Sequence, residues 1–92
     1  MKMEMIKMPE QFSVTEAANF REMTYNILKR EAVSFELDFS GCSFIDSTGL
    51  GVLVGLYKKC SEQGSHMILK HLSADVRKIF SMTRLDQIFT II

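Results

Sequence analysis

Phe44-Ile45-Asp46-Ser47-Thr48-Gly49-Leu50-Gly51 is the stretch that decides the fold: an apolar strand-like approach breaks at Asp46 into polar residues and then turns helical. The strand ends at Asp46 and a helix begins near Ser47. A hydroxyl at such a junction lies where the backbone N–H groups of the new helix lack partners. A phosphate attached there would meet fitting donors and a favourable dipole. Ser47 is therefore the first candidate functional residue, set against the alternative that Asp46, Ser47 and Thr48 merely cap the helix.

Outward from the junction, the helix is expected from about Thr48 to Gln63, stopping at Gly64, a natural left-handed residue, with Lys58 and Lys59 shortly before it. Leu50, Leu53, Val54, Tyr57 and Cys60 form one apolar stripe, while Val52 and Leu56 lie off it beside Gly51 and Gly55. Either the glycines allow close helix packing, or a second apolar face adjoins Ser47 as a docking surface. On the N-terminal side, Val33-Ser34-Phe35-Glu36-Leu37-Asp38-Phe39 alternates strictly, the signature of a half-buried strand, and Ser40-Gly41-Cys42-Ser43 reads as a loop.

Met1 to Met8 reads as a short strand closed by Pro9. Ser13 and Glu16 have capping-box spacing and Phe12 and Ala17 that of a hydrophobic staple, so a helix should start at Ser13 and end near Arg30. Its buried stripe is Ala17, Phe20, Thr24, Ile27 and Leu28. Toward the C-terminus, His66 to Leu72 lacks clean alternation and reads as a strand covered on both sides or ends. Ser73 caps a helix carrying Val76, Ile79 and Phe80, a helical turn falls at Leu85 to Gln87, and Phe89 to Ile92 forms a last strand. The order implies a single α/β domain over residues 1–92: a mixed sheet of about four strands, helices mainly on one face, right-handed crossovers.

Composition narrows the function. Lys plus Arg and Asp plus Glu number 11 each, so no net field draws the chain to nucleic acid or an anionic membrane. No apolar run approaches the roughly 18 residues of a membrane span, so direct insertion is not expected. Of seven Met residues three fall in the first five positions, which argues against a Met-lined binding surface. Cys42 and Cys60 match no redox or zinc spacing and suit a reducing cytoplasm as free, buried thiols.

No phosphate-binding loop, paired metal ligands or hydrolase nucleophile motif is present, and His66 and His71, five apart, should point to opposite strand faces. Asp46 beside Ser47 makes a poor nucleophile–base pair without a bridging His. A non-enzymatic role with no cofactor is expected. A phosphate on Ser47 would instead add nearly two negative charges beside Asp46 and repel a partner that met the unmodified surface.

Ile45-Asp46-Ser47-Thr48-Gly49-Leu50-Gly51-Val52-Leu53, preceded by Phe35-Glu36-Leu37-Asp38 and followed by Tyr57, Lys58 and Gly64, resembles the STAS domain of bacterial anti-sigma factor antagonists. Val76-Arg77-Lys78-Ile79-Phe80 and Leu85 through Ile92 are similar to the family's closing pattern, so the resemblance covers roughly Phe35 to Ile92. It implies an unphosphorylated domain that binds an anti-sigma factor serine kinase, freeing sigma factor, and that is released when the kinase uses ATP to phosphorylate the residue matching Ser47. Asp46, Thr48 and Gly49 match the surrounding turn, and Gly51, Val52, Gly55 and Ser13 complete the expected partner surface. An alternative implied by similar proteins is a small scaffold subunit of a lipid-transport ATPase that docks constitutively through the same helix. Two features differ from the family pattern. Ser13 stands where an Asp is usual, and one of two strands is missing before the first helix, leaving a sheet edge open to a homodimer.

Overall fold

The computed structural model describes residues 2–92; Met1, counted in the first expected strand, lies outside the described residues. The elements are β1 (Lys2–Lys7), β2 (Gln11–Phe12), α1 (Val14–Arg30), β3 (Val33–Asp38), β4 (Phe44–Ile45), α2 (Ser47–Glu62), β5 (Met67–Lys70), α3 (Ala74–Met82), a 3-10 turn (Leu85–Gln87) and β6 (Thr90–Ile91). The main sheet has the order β1-β3-β5-β6, and β2 and β4 form a separate two-stranded ladder.

Four strands are present as expected, but every ladder is parallel where a mixed sheet was expected. The cause is the spacing of the elements: a helix lies between each consecutive pair of main-sheet strands, and such crossovers return the chain in the same direction. Because strands are added on one side in chain order, crossovers of the usual right hand put all three helices on one face. Burial agrees. Phe35, Leu37 and Leu69 are fully buried beneath the helices, whereas Glu36, Asp38 and Lys70 on the opposite face remain partly exposed.

The strand expected to be missing before α1 exists as β2, whose two residues, Gln11 and Phe12, pair with Phe44 and Ile45. Two residues carry no periodicity, so the element is set by its partner β4 and not by its own pattern. It brings Phe12 into the core, where its ring meets Phe20 edge-on at 5.2 Å. Phe80 similarly packs edge-on against Phe39 at 6.2 Å and Phe89 at 5.7 Å, tying α3 and the last strand to the sheet. β5 is covered on one side only, with Met67 and Leu69 buried and Ile68 and Lys70 partly exposed. His66 and His71 flank this strand and are not part of it. Leu56, expected off the apolar stripe of α2, is fully buried, and the buried line is Gly49, Leu53, Leu56 and Cys60. Both cysteines are free and buried, and burial pushes their thiol pKa values up, which keeps them protonated.

On the open sheet face Lys70 Nζ lies 2.7 Å from Glu36 Oε2. Asp38 Oδ1 accepts from the Ser40 N–H at 2.9 Å and faces His71 Nδ1 at 3.2 Å. The Ser40 hydrogen bonds, helped by His71, lower the Asp38 pKa to about 2. A carboxyl depressed in the folded state stabilises the fold fully above its unfolded value of roughly 4, and that contribution disappears as pH falls through about 2. Asp38→Asn is therefore expected to flatten the loss of stability between those pH values, measured as chemical denaturation midpoints over an acid series.

Candidate functional site

Asp46 is the last residue before α2 and its N-cap, with Oδ1 accepting from the Gly49 N–H at 3.0 Å. Its other oxygen, Oδ2, accepts from Ser13 Oγ at 2.6 Å, across 33 positions of sequence. Ser13 is the residue before α1, but its side chain makes no capping hydrogen bond to its own helix. The expected capping box at Ser13 and Glu16 is thus replaced: the hydroxyl turns to the second helix and holds its capping carboxylate. The Ser13 hydrogen bond, with the Gly49 N–H next, keeps the Asp46 pKa below the usual carboxylate range, so the cap is ionised at neutral pH.

The helix begins at Ser47, and Ser47 and Thr48 are both exposed. The helix-start donors expected to await a phosphate already serve Asp46, since the N–H groups of Gly49 and Thr48 both interact with its carboxylate. A phosphate on Ser47 would therefore stand beside an ionised carboxylate instead of settling into an empty nest of donors.

Gly49 is buried and does not line the surface on which it was expected. A Cβ there would strike the Phe12 carbonyl oxygen and come within 2.7 Å of Phe12 Cδ2 and 3.0 Å of Ile45 Cγ1. Its role is close approach: α2 is pressed against β2 and β4, which carries Asp46 to Ser13. Gly55 serves similarly on the other flank, where a Cβ would lie 2.9 Å from Tyr25 Oη. Gly51 is exposed and nothing lies within 4 Å of the position its Cβ would take. Of the two glycines expected to allow close packing, Gly55 does so and Gly51 does not.

Val52 is half-buried and lines a groove of about 640 Å³ between α1 and α2. Val14, Ala18, Tyr25 and Thr48 share that lining, with Arg21 at its side. Val14 follows Ser13 and Thr48 follows Ser47, so the groove opens at the Asp46 turn. Val14 is 64% exposed, a large apolar side chain left in water at the groove mouth. The α1 residues of this groove escaped the sequence reading, although Val14, Ala18, Arg21, Tyr25 and Lys29 recur at helical spacing beside the buried stripe.

Among the described residues no cluster of three or more His, Cys, Asp or Glu could hold a metal ion. No helix among them is long and apolar enough to cross a membrane. His71 is engaged with Asp38, and no His is hydrogen-bonded to Asp46 or Ser13 among the described residues.

The STAS domain family model matches residues 4–92, nearly the whole chain. The chain belongs to the STAS domain family. The match extends beyond the region on which the sequence resemblance rested and takes in most of β1 together with β2 and α1. The chain is 36% identical over 62 residues to the anti-sigma-B factor antagonist of Listeria monocytogenes, a match covering 67% of this chain and 54% of that protein. It is 34% identical over 64 residues to the anti-sigma-B factor antagonist of Bacillus subtilis, covering 70% of this chain and 59% of that one. The aligned region thus spans little more than half the length of these relatives. Among solved structures, a Thermotoga maritima protein assigned as a candidate anti-sigma factor antagonist superposes with a TM-score of 0.82 at 27% identity. That match covers 95% of this chain and 77% of the other.

Two substitutions separate the packing role of the STAS glycines from any role at the surface. Gly49→Ala is expected to cost about 3 kcal/mol, because the added carbon meets backbone that cannot move aside. Gly51→Ala is expected to stabilise by about 0.5–1 kcal/mol, as alanine replaces an exposed helix-interior glycine with no steric conflict. Thermal unfolding of the two variants against the parent chain measures both.

Proposed function

We propose that this STAS domain is an anti-sigma factor antagonist: a binding protein that engages an anti-sigma factor serine kinase when unmodified and releases it when Ser47 is phosphorylated. The observation that carries the reading is the exposure of Ser47 directly after the ionised cap Asp46, at the mouth of an open groove. The names of the Listeria monocytogenes and Bacillus subtilis relatives supply the biological context.

The switch follows from charge. Asp46 already places one negative charge at the turn, held by Ser13 and Gly49. Phosphorylation of Ser47 adds a further ~1.5–2 negative charges next to it. The helix dipole offsets part of that repulsion, so the fold survives, but the surface presented to a docked protein changes from singly to multiply charged. Like charges brought together at an interface cost several kcal/mol, enough to release a complex. Ser13, which stands where an acid is usual in the family, acts as a positioning residue: its hydroxyl fixes the Asp46 carboxylate without adding a charge of its own. Thr48 and Val52 continue the contact into the groove, and Gly51 leaves the adjoining helix surface bare. In this reading the protein catalyses nothing: the kinase binds ATP and transfers its γ-phosphoryl group to Ser47 Oγ, leaving ADP.

With a partner-switching kinase as binding partner, Ser47→Asp is expected to weaken the complex by roughly tenfold or more, while Ser47→Ala binds and is not released by ATP. Isothermal titration of the three proteins measures this. Equal affinity of Ser47→Asp and the parent chain would contradict the switch and favour constitutive docking, as in a transporter-associated subunit.

A further inference from the structure

The groove that begins at Thr48 does not end at Val52. Its floor is Ala18, Tyr25 and Val52, and past Tyr25 it runs into a smaller hollow of about 110 Å³ bordered by Leu28, Lys59 and Gln63. Tyr25 is the hinge between the two. Two cations reach its ring, the Arg21 guanidinium 4.9 Å and the Lys59 ammonium 5.0 Å from the ring centroid. Lys29 lines both hollows. Against these three cations stand two carboxylates, Glu22 in the lining and the ionised Asp46 at the mouth. In a chain whose charges balance overall, this is a local excess of positive charge on an apolar floor.

We infer that the α1–α2 groove is the seat of an acidic amphipathic helix of the partner protein, with apolar side chains on Ala18, Tyr25 and Val52 and carboxylates facing Arg21, Lys29 and Lys59. One observation and one consequence of the proposed function support the acidic character. The first is the cation excess, which a carboxylate-bearing segment complements. The second is the direction of the Ser47 switch, and here the inference rests on the function proposed above. A phosphate at the groove mouth weakens binding through charge when the segment seated beside it is negative. A basic segment would be held more tightly by the modified turn. The occupant is helical because the groove runs between two helices and its apolar and cationic lining residues recur about one turn apart along α1, a spacing that an amphipathic helix matches with anchors three and four residues apart. Gly55 contributes by letting Tyr25 lie close on α2, which keeps the floor shallow and open.

The test is a nuclear magnetic resonance titration of the full chain with two synthetic helical peptides of about 15 residues, identical except that the Glu residues flanking a Leu stripe in one are Lys in the other. The acidic peptide is expected to shift the amide signals of Ala18, Tyr25 and Val52 and the basic peptide to leave them in place. Lys29→Glu combined with Lys59→Glu, both exposed positions, is expected to weaken the acidic peptide by at least ~10-fold while keeping the folded spectrum. Ser47→Asp weakens it too. Equal binding of the two peptides, or acidic binding unchanged by the double reversal, overturns the inference. Should the acidic peptide bind as expected while Ser47→Asp leaves the kinase complex intact, the switch fails and the groove assignment stands. Should the switch hold while the acidic peptide fails to bind, the groove assignment is overturned and the switch stands.

Discussion

The Asp46 carboxylate bridges the starts of two helices: Oδ1 accepts from the Gly49 N–H of α2 at 3.0 Å, and Oδ2 accepts from Ser13 Oγ at the head of α1 at 2.6 Å. Both helix starts must therefore lie at the same end of the sheet, and the parallel topology puts them there. β2 runs into α1 and β4 runs into α2, and because β2 and β4 pair in parallel, their C-terminal ends deliver Ser13 and Asp46 side by side. The two-residue ladder is small in area, but it sets the distance across which the hydrogen bond forms. Gly49 makes that distance attainable, since any side chain there would push α2 away from Phe12.

Crowding beneath the turn contrasts with openness above it. Phe12, Ile45 and Gly49 are sealed, while Ser47, Thr48 and Gly51 face solvent. A rigid underside carrying an exposed, charged cap suits a surface whose signal is a change of charge and not a change of shape. Ser47 itself is exposed, so the proposed phosphate at the start of α2 would leave the packing beneath it in place. In the proposed reading partner recognition falls to the α1–α2 groove, whose mouth is this turn and whose far end is the cation-flanked Tyr25.

Much of this was legible in the residues. Strict alternation from Val33 to Phe39 located the central strand, Gly64 marked the end of α2 and takes a φ of 73°, and Ser73 caps α3 through the Val76 N–H at 3.2 Å. What escaped was non-local. β2 is too short for any periodicity and exists only through β4. The parallel sense of the ladders depends on how the crossovers return, which local patterns do not report. Ser13 displayed capping-box spacing with Glu16, yet a charged acceptor from a distant strand end outcompeted its own helix for the hydroxyl, as charge-assisted hydrogen bonds are the stronger kind. Tyr25 and Arg21 belong to a stripe flanking the buried face of α1, and their meeting with Lys59 required the two helices to pack.

The measurement that bears most directly on the Asp46–Ser47 turn as a charge switch is peptide-level mass spectrometry of the protein isolated from its own cells under conditions that hold sigma factor inactive. The expected result is a single phosphate on Ser47. A phosphorylated population carrying its phosphate elsewhere, with Ser47 unmodified throughout, would contradict the assignment of Ser47 as the acceptor.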